Sequence, residues 1–177
     1  MKKLIMAALV VCAFAAIAQA QDAPVADVAV GYSSVYVVKG FTFFTNGGNG
    51  SAALNVNNWL GAVGDFGVYQ APSGVNGLTA ETYLFGPRFS YRHWERFVPY
   101  AQVLVGGVHS SVVATGFTDV SNALAFGAGT GADFVLDRGG RFALRPQLEY
   151  LGFHANGSTI PNVRFSLGLV FRLGKRT

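Results

Sequence analysis

Cysteine is almost missing from this chain, and charge is scarce. Its 177 residues hold one cysteine, Cys12, and two methionines. That leaves no disulfide framework. Asp, Glu, Lys and Arg make up only 12% of the residues, against about 25% in a typical soluble domain. Only three histidines are present, His93, His109 and His154. Beyond residue 20 no apolar run approaches the ~20 residues that a membrane helix needs. The short Lys175-Arg176 tail is the nearest thing to a basic run, so nucleic-acid binding has nothing to rest on.

What is present is apolar surface without helical length. The chain is 51% hydrophobic and 14% aromatic, with 23 glycines, and its mean hydropathy is +0.35. Such a composition points to a membrane. In lipid every backbone N–H and C=O needs a partner within the protein, so the spanning solution other than a helix is a closed β-barrel.

The amino terminus has the form of an export signal. Lys2 and Lys3 precede an apolar stretch from Leu4 to Ile17, and Ala18-Gln19-Ala20 is a small-x-small cleavage site. Residues 1–20 are therefore read as a signal peptide cut between Ala20 and Gln21, and residues 21–177 as the folded domain. Val11 is too large for the position before a lipidated cysteine, which argues against a lipoprotein. Losing residues 1–20 removes the cysteine, both methionines, Lys2 and Lys3, and leaves 11 basic against 9 acidic residues.

Period-2 alternation dominates the rest. Strand-like segments fall at about 26–38, 50–57, 59–70, 78–91, 97–109, 123–137, 142–154 and 162–173. In the last, Val163, Phe165, Leu167, Leu169, Phe171 and Leu173 share one face, opposite Asn162, Arg164, Ser166, Gly168, Val170 and Arg172. The fourth puts Tyr83, Phe85, Pro87 and Phe89 opposite Leu84, Gly86 and Arg88. The sixth puts Leu124, Phe126, Phe134 and Leu136 opposite Gly127, Gly129, Gly131 and Asp133. The seventh puts Leu144, Pro146, Leu148 and Tyr150 opposite Arg145, Gln147 and Glu149. With an export signal and little charge, the apolar face is assigned to lipid and the polar face to the interior. The expected fold is an all-β, eight-stranded antiparallel up-and-down transmembrane β-barrel.

Links near Asn57-Asn58, at 92–96 and at 137–140 are short, whereas those at 39–49, 71–77, 110–122 and 155–161 read as longer loops. Short turns on one side and long loops on the other is the outer-membrane pattern, with the short side and both termini periplasmic. Trp59, Tyr91, Trp94, Phe97, Tyr100, Phe142 and Phe171 lie near the short-turn end, and Tyr36, Phe41, Tyr69 and Phe153 near the other, as aromatic girdles do. One register conflict stands out. A two-residue turn at Asn57-Asn58 puts Asn55 and Leu60 on one face, and a three-residue turn or a bulge resolves it.

The stretches Leu84-Phe-Gly-Pro-Arg-Phe-Ser90, Phe97-Val-Pro-Tyr100 and Val163 to Gly174 resemble the OmpA-like outer-membrane β-barrel domain family. The resemblance covers most of the chain after residue 20. It implies an eight-stranded barrel in the outer membrane, in contact with its lipids and lipopolysaccharide, delivered by periplasmic chaperones to the outer-membrane insertion machinery. Ser166, Gly168, Phe171 and Leu173 match that machinery's signal, although Leu173 stands where an aromatic is usual and Gly174-Lys-Arg-Thr177 follows. Nothing in the sequence corresponds to a peptidoglycan-binding domain, so that tethering role is not carried over.

Chemistry has few places to sit. Asp65, Arg88, Asp133, Arg145, Glu149 and Arg164 fall on the inward face, where an eight-stranded interior is only wide enough for side chains. They are expected to pair as a plug, because unpaired buried charges are costly. A turn at Arg138-Gly139-Gly140 sets Asp137 against Arg141, and the same register sets Asp133 against Arg145. His93 reads as an interfacial polar residue. His109-Ser110-Ser111, with Asp119 as the nearest acid, could mimic a lipid A deacylase, which needs a base and an orienting carboxylate. His109 and His154 alone are a weak metal pair. Gly127-x-Gly129-x-Gly131 lacks the following helix of a phosphate loop. No catalytic residue, metal or cofactor is assigned. The expected role is a structural or surface barrel, not an enzyme, whose loops at 39–49 and 110–122 (bearing Phe41, Phe43, Phe44 and Phe117) contact surfaces or ligands. A small pore and a lipid-modifying enzyme are the alternatives, and a soluble lipocalin-like barrel is disfavoured by the charged inward face.

Overall fold

The computed structural model describes residues 23–37, 44–70, 78–114, 117–155 and 157–174. The signal segment with Ala20 and Gln21, the phenylalanines at 41 and 43, the stretch 71–77 and the tail 175–177 lie outside the described residues. The strands are β1 Ala26–Val37, β2 Phe44–Asn55, β3 Leu60–Gln70, β4 Leu78–Ser90, β5 Phe97–Ala114, β6 Phe117–Val135, β7 Phe142–Ala155 and β8 Ser158–Leu173. Each pairs antiparallel with the next, and β1 closes on β8 from Ala26↔Leu173 to Val37↔Asn162. This is an eight-stranded transmembrane β-barrel in which no strand keeps an unpaired edge.

The alternation sets the two surfaces. Outward positions such as Val30, Leu54, Phe85, Val105, Leu124, Phe165 and Leu169 are exposed. Inward positions such as Ser33, Asp65, Arg88, Gln102, Glu149 and Arg164 are buried. At ~3.3 Å per residue and a tilt of ~40°, the outward run from Val163 to Leu173 rises roughly 25 Å, the height of an outer-membrane apolar band. An apolar exterior around a charged interior inverts a soluble barrel, and lipid is the solvent that makes it favourable.

The turns at one end are short and built from side-chain caps. Asn55 pairs with Gly61 and Val56 N–H donates to Leu60 O at 2.8 Å. Residues 57–59 therefore form a three-residue connection, which keeps Asn55 inward and Leu60 outward. Asn57 Oδ1 accepts the N–H groups of Trp59 at 2.9 Å and Leu60 at 2.7 Å. In the β6–β7 turn Asp137 accepts the N–H of Phe142 at 2.7 Å and of Arg141 at 3.2 Å. Gly140 completes that turn at φ +70°, a conformation that side chains with a Cβ disfavour.

The opposite end departs from expectation. β2 runs over Phe44–Asn55, not 50–57, so much of the expected 39–49 loop is ladder. In the supposed loops at 110–122 and 155–161, residues 110–114, 117–122, 155 and 158–161 are strand as well. β5 and β6 stay paired to Ala114↔Phe117, and β7 and β8 to Ala155↔Ser158. The segments 110–122 and 158–160 are rich in Val, Thr, Ser and Ile, which suit a ladder. Past the membrane both faces of a hairpin meet water, so the pairing no longer shows as alternation. Asn156-Gly157 is itself a strong two-residue hairpin signal, and Gly157 takes φ +74°. With 18 and 19 residues, β5 and β6 are about twice the 9–11 residues of a tilted membrane strand.

Asp137 gives the short-turn end of the barrel a pH dependence. The backbone N–H of Phe142, then that of Arg141, holds its carboxyl below the ordinary value of 3.8. A depressed carboxyl contributes stability above its unfolded pKa and loses it as pH falls through the folded one. Asp137→Asn should lower the urea midpoint of the refolded barrel at pH 7. The gap to the parent should close as pH falls below about 4; a gap that persists at low pH rejects the role.

Candidate functional site

The lumen is where this chain concentrates its polar chemistry, and it is filled in layers. At the level of Arg164 a four-residue knot crosses the barrel. Arg164 Nε donates to Glu149 Oε2 at 2.6 Å, and its Nη1 to Asp65 Oδ1 at 2.7 Å and to the Tyr69 hydroxyl at 2.8 Å. Nη2 also faces Glu149. β3, with Asp65, and β7, with Glu149, are four strands apart in the ring of eight, so Arg164 ties opposite walls together. Glu149 Oε1 accepts from Gln102 Nε2 at 2.7 Å, and Gln102 Oε1 accepts from Arg88 Nε at 2.9 Å. That amide relays the middle layer to the next.

The second charged layer lies toward the short turns. Arg145 grips Asp133 through Nε at 2.6 Å and Nη2 at 2.9 Å, and reaches Asp27 at 3.0 Å. Arg88 meets Asp27 at 3.3 Å, and Arg172 meets Asp133 at 3.1 Å. Two guanidiniums lie over the Tyr100 ring, with Arg88 Cζ 4.6 Å and Arg145 Cζ 5.1 Å from its centroid. Arg92 closes the mouth, donating to Asn58 O at 3.1 Å and Asn55 Oδ1 at 3.0 Å.

Toward the far end the filling turns aliphatic. Leu84, Leu104 and Leu151 are each 0% exposed and pack with Val63, Val108 and Ala125. The lumen is thus not polar along its whole length, as the inward-face reading implied.

All six charges singled out from the sequence lie inside and within these two layers. Asp133 and Arg145 are directly paired, as the hairpin register required. Sequence reasoning passed over Asp27 and Gln102, which share the parity of the inward face, and left Arg172, already on the inward face of the last segment, out of the charged set; Arg92 continues the inward parity of Arg88. Three assignments are corrected. Tyr100 and Tyr69, placed in the aromatic girdles, are buried in the lumen, and Phe153, placed with them, packs against the aliphatic cluster inside. Glycine makes room for the two tyrosines: a Cβ on Gly131 would strike the Tyr100 ring, and one on Gly67 the Tyr69 ring. The short-turn girdle consists of other rings, among them Trp94 against Phe97 at 5.7 Å, Phe97 against Phe134 at 5.1 Å and Phe142 against Phe171 at 5.3 Å.

The assembly-signal residues divide by parity. Ser166 is buried and hydrogen-bonded to Ser33 at 2.8 Å, while Phe171 and Leu173 are exposed. His109 sits within β5, not at a strand end, and its Nδ1 is 2.8 Å from Asn122 Oδ1. Ser110, next in the strand, points to the other face and its hydroxyl meets Ser121 O at 3.4 Å. The Asp119 side chain lies outside the described residues. His154 Nδ1 is 2.9 Å from Thr159 Oγ1. Among the described residues no three His, Cys, Asp or Glu side chains converge as metal ligands.

With this geometry in hand, the fold aligns with solved bacterial outer-membrane barrels. Neisserial surface protein A matches at a TM-score of 0.68 and 12% identity, over 84% of this chain and 96% of that one. OprG from Pseudomonas aeruginosa matches at 0.65 and 8% identity, over 88% and 99%. Ail, the attachment invasion locus protein of Yersinia pestis, matches at 0.62 and 18% identity, over 85% and 99%. At these identities the likeness is one of fold. No family model matches the sequence, and no curated protein does.

Arg164 is the member of the lumen with most to lose. Arg164→Met leaves Asp65 and Glu149 buried without their cation and should cost about 3–5 kcal/mol, read as the urea midpoint of the refolded barrel. Adding Glu149→Gln should recover part of that loss. If the two changes simply add, the pairing is not what holds this layer.

Proposed function

We propose that the chain is a surface barrel of a bacterial outer membrane that neither conducts ions nor catalyses a reaction. The observation that carries this reading is the double seal of the lumen. A guanidinium bound to opposite walls fills one level, and three leucines that solvent does not reach fill another. Ion passage through an apolar constriction requires wetting, which this one resists. Ser110 lies on the strand face opposite His109, and the hydrogen bond of the His109 ring is to Asn122, so neither contact supports a nucleophile–base relay.

The short turns and both termini face the periplasm in this reading. Lipids and lipopolysaccharide cover the apolar belt. The last strand, with Ser166, Gly168, Phe171 and Leu173, engages the insertion machinery after chaperone delivery. The long hairpins β5–β6 and β7–β8 stand beyond the membrane as the surface available to ligands or neighbouring cells.

Purified barrel that shows heat-modifiable gel mobility should give no steady conductance in planar bilayers. A reproducible ohmic channel overturns the sealed-lumen reading. Deletion of the gene should leave the lipid A mass unchanged; a shift restored by the parent but not by His109→Ala makes the chain an enzyme instead.

A further inference from the structure

The charges of the lumen do not balance, and the imbalance is local. Around Arg164 one guanidinium faces two carboxylates, Asp65 and Glu149. At the short-turn end four guanidiniums, Arg88, Arg92, Arg145 and Arg172, surround only two carboxylates, Asp27 and Asp133. Over the whole described interior this leaves one excess positive charge, and at the short-turn end two. Arg88, Arg92 and Arg145 are each at most 5% exposed. Arg92 makes no ion pair among the described residues and bonds only to neutral oxygens.

Donors are also left over there. Arg88 Nη2, Arg145 Nη1 and Arg172 Nε are buried with no hydrogen-bond partner. Buried N–H groups of cations normally find an acceptor, and the cost of leaving one unmade is larger for charged groups than for neutral ones. A hydroxyl or a water satisfies a donor but does not offset net charge. An anion does both.

We propose that the short-turn end of the lumen is a binding site for a small inorganic anion, a phosphate, sulfate or halide, held by Arg92 and Arg172 with Arg88 and Arg145 behind them. Arginine suits the task because its fork of donors matches an oxyanion and keeps its charge. Entry is from the turn side, because the aliphatic layer closes the lumen beyond. Ala23 and Pro24 cover that mouth, with Asn55 Nδ2 donating to Pro24 O at 2.9 Å. Burial this deep admits a free ion and excludes the phosphate of a membrane lipid.

Sodium phosphate titrated into the full mature barrel in detergent, followed by calorimetry, should show one saturable site per chain. Phosphate-headgroup lipid added in mixed micelles should not compete for it. Arg92→Gln should weaken binding on the order of tenfold, the loss of one charge-assisted contact, and Arg92→Gln with Arg172→Gln should abolish it. Arg141→Gln, an exposed arginine of the neighbouring turn, should leave it unchanged. Heat-modifiable mobility reports whether each variant has folded. Should the double variant fail to fold, crystals of the parent grown in bromide decide the matter: an anomalous peak beside Arg92 and Arg172 supports the site, and its absence overturns it. No saturable phosphate binding, equal binding by folded variants, or competition by the lipid headgroup likewise overturns it.

Discussion

An eight-stranded cylinder encloses a space only about as wide as the side chains that line it, and the rest of this molecule follows from how that space is filled. The walls share the work unequally. β1, β2 and β8 turn Ala29, Gly31, Ser33, Ser51, Ala53, Ser166 and Gly168 inward. Across from them β3 to β7 contribute Asp65, Tyr69, Arg88, Tyr100, Gln102, Arg145 and Glu149. Arg88 and Arg145 reach over to Asp27 on the small-residue side, and Arg164 of β8 reaches back to Asp65. Glycines within the large-residue side make room locally, since Gly129 leaves the space that Glu149 occupies and Gly131 the space of Tyr100.

Charge is affordable inside because so much of it is shared. Asp27 serves both Arg88 and Arg145, Asp133 serves Arg145 and Arg172, and Arg164 serves two carboxylates and a phenol. One ordered side chain thus meets several partners, so the conformational entropy lost per contact falls. Arg88 and Arg145 also each lie over the electron-rich ring of Tyr100, a contact that favours both cations. The aliphatic layer above needs no such arrangement, because Leu84, Leu104 and Leu151 bury no polar atom.

Much of this is legible in the sequence alone. Period two alone separates Phe165 from Arg164 and Phe85 from Leu84, and the β6–β7 turn carries Asp133 to Arg145 by counting. The eight segments follow from where alternation breaks. What escaped has physical causes. Alternation is enforced only where one face meets lipid, so the extension of β5 to Ala114 and of β8 back to Ser158 left no such mark. Tyr69 and Tyr100 were misplaced because a tyrosine near a membrane interface usually faces it, whereas the parity of β3 and β5 and the glycines beside the rings turn them inward. The Asn57 cap was legible as a residue type but not as a three-residue count. Asp27 was overlooked because its partners, Arg88 and Arg145, come from strands distant in sequence.

Buried ion pairs add little net stability over apolar residues of the same shape, which raises the question of what this network does for the fold. Register supplies an answer. A slip of one residue between neighbouring strands moves every side chain to the other face. For β7 and β8 such a slip would set Arg145, Glu149, Arg164 and Arg172 against hydrocarbon, where an arginine near the midplane costs about 2–4 kcal/mol. It would also drive Leu148, Phe165 and Leu169 into a lumen already full. The closing pair β1–β8 is the most exposed to such errors, since no turn links its strands and small residues line much of it. There Asp27 lies opposite Arg172, and Ser33 bonds to Ser166. The same arginines that leave the short-turn end in excess of positive charge therefore penalise a closure slipped by one residue, and an anion drawn into that end would act only on the barrel that has closed correctly.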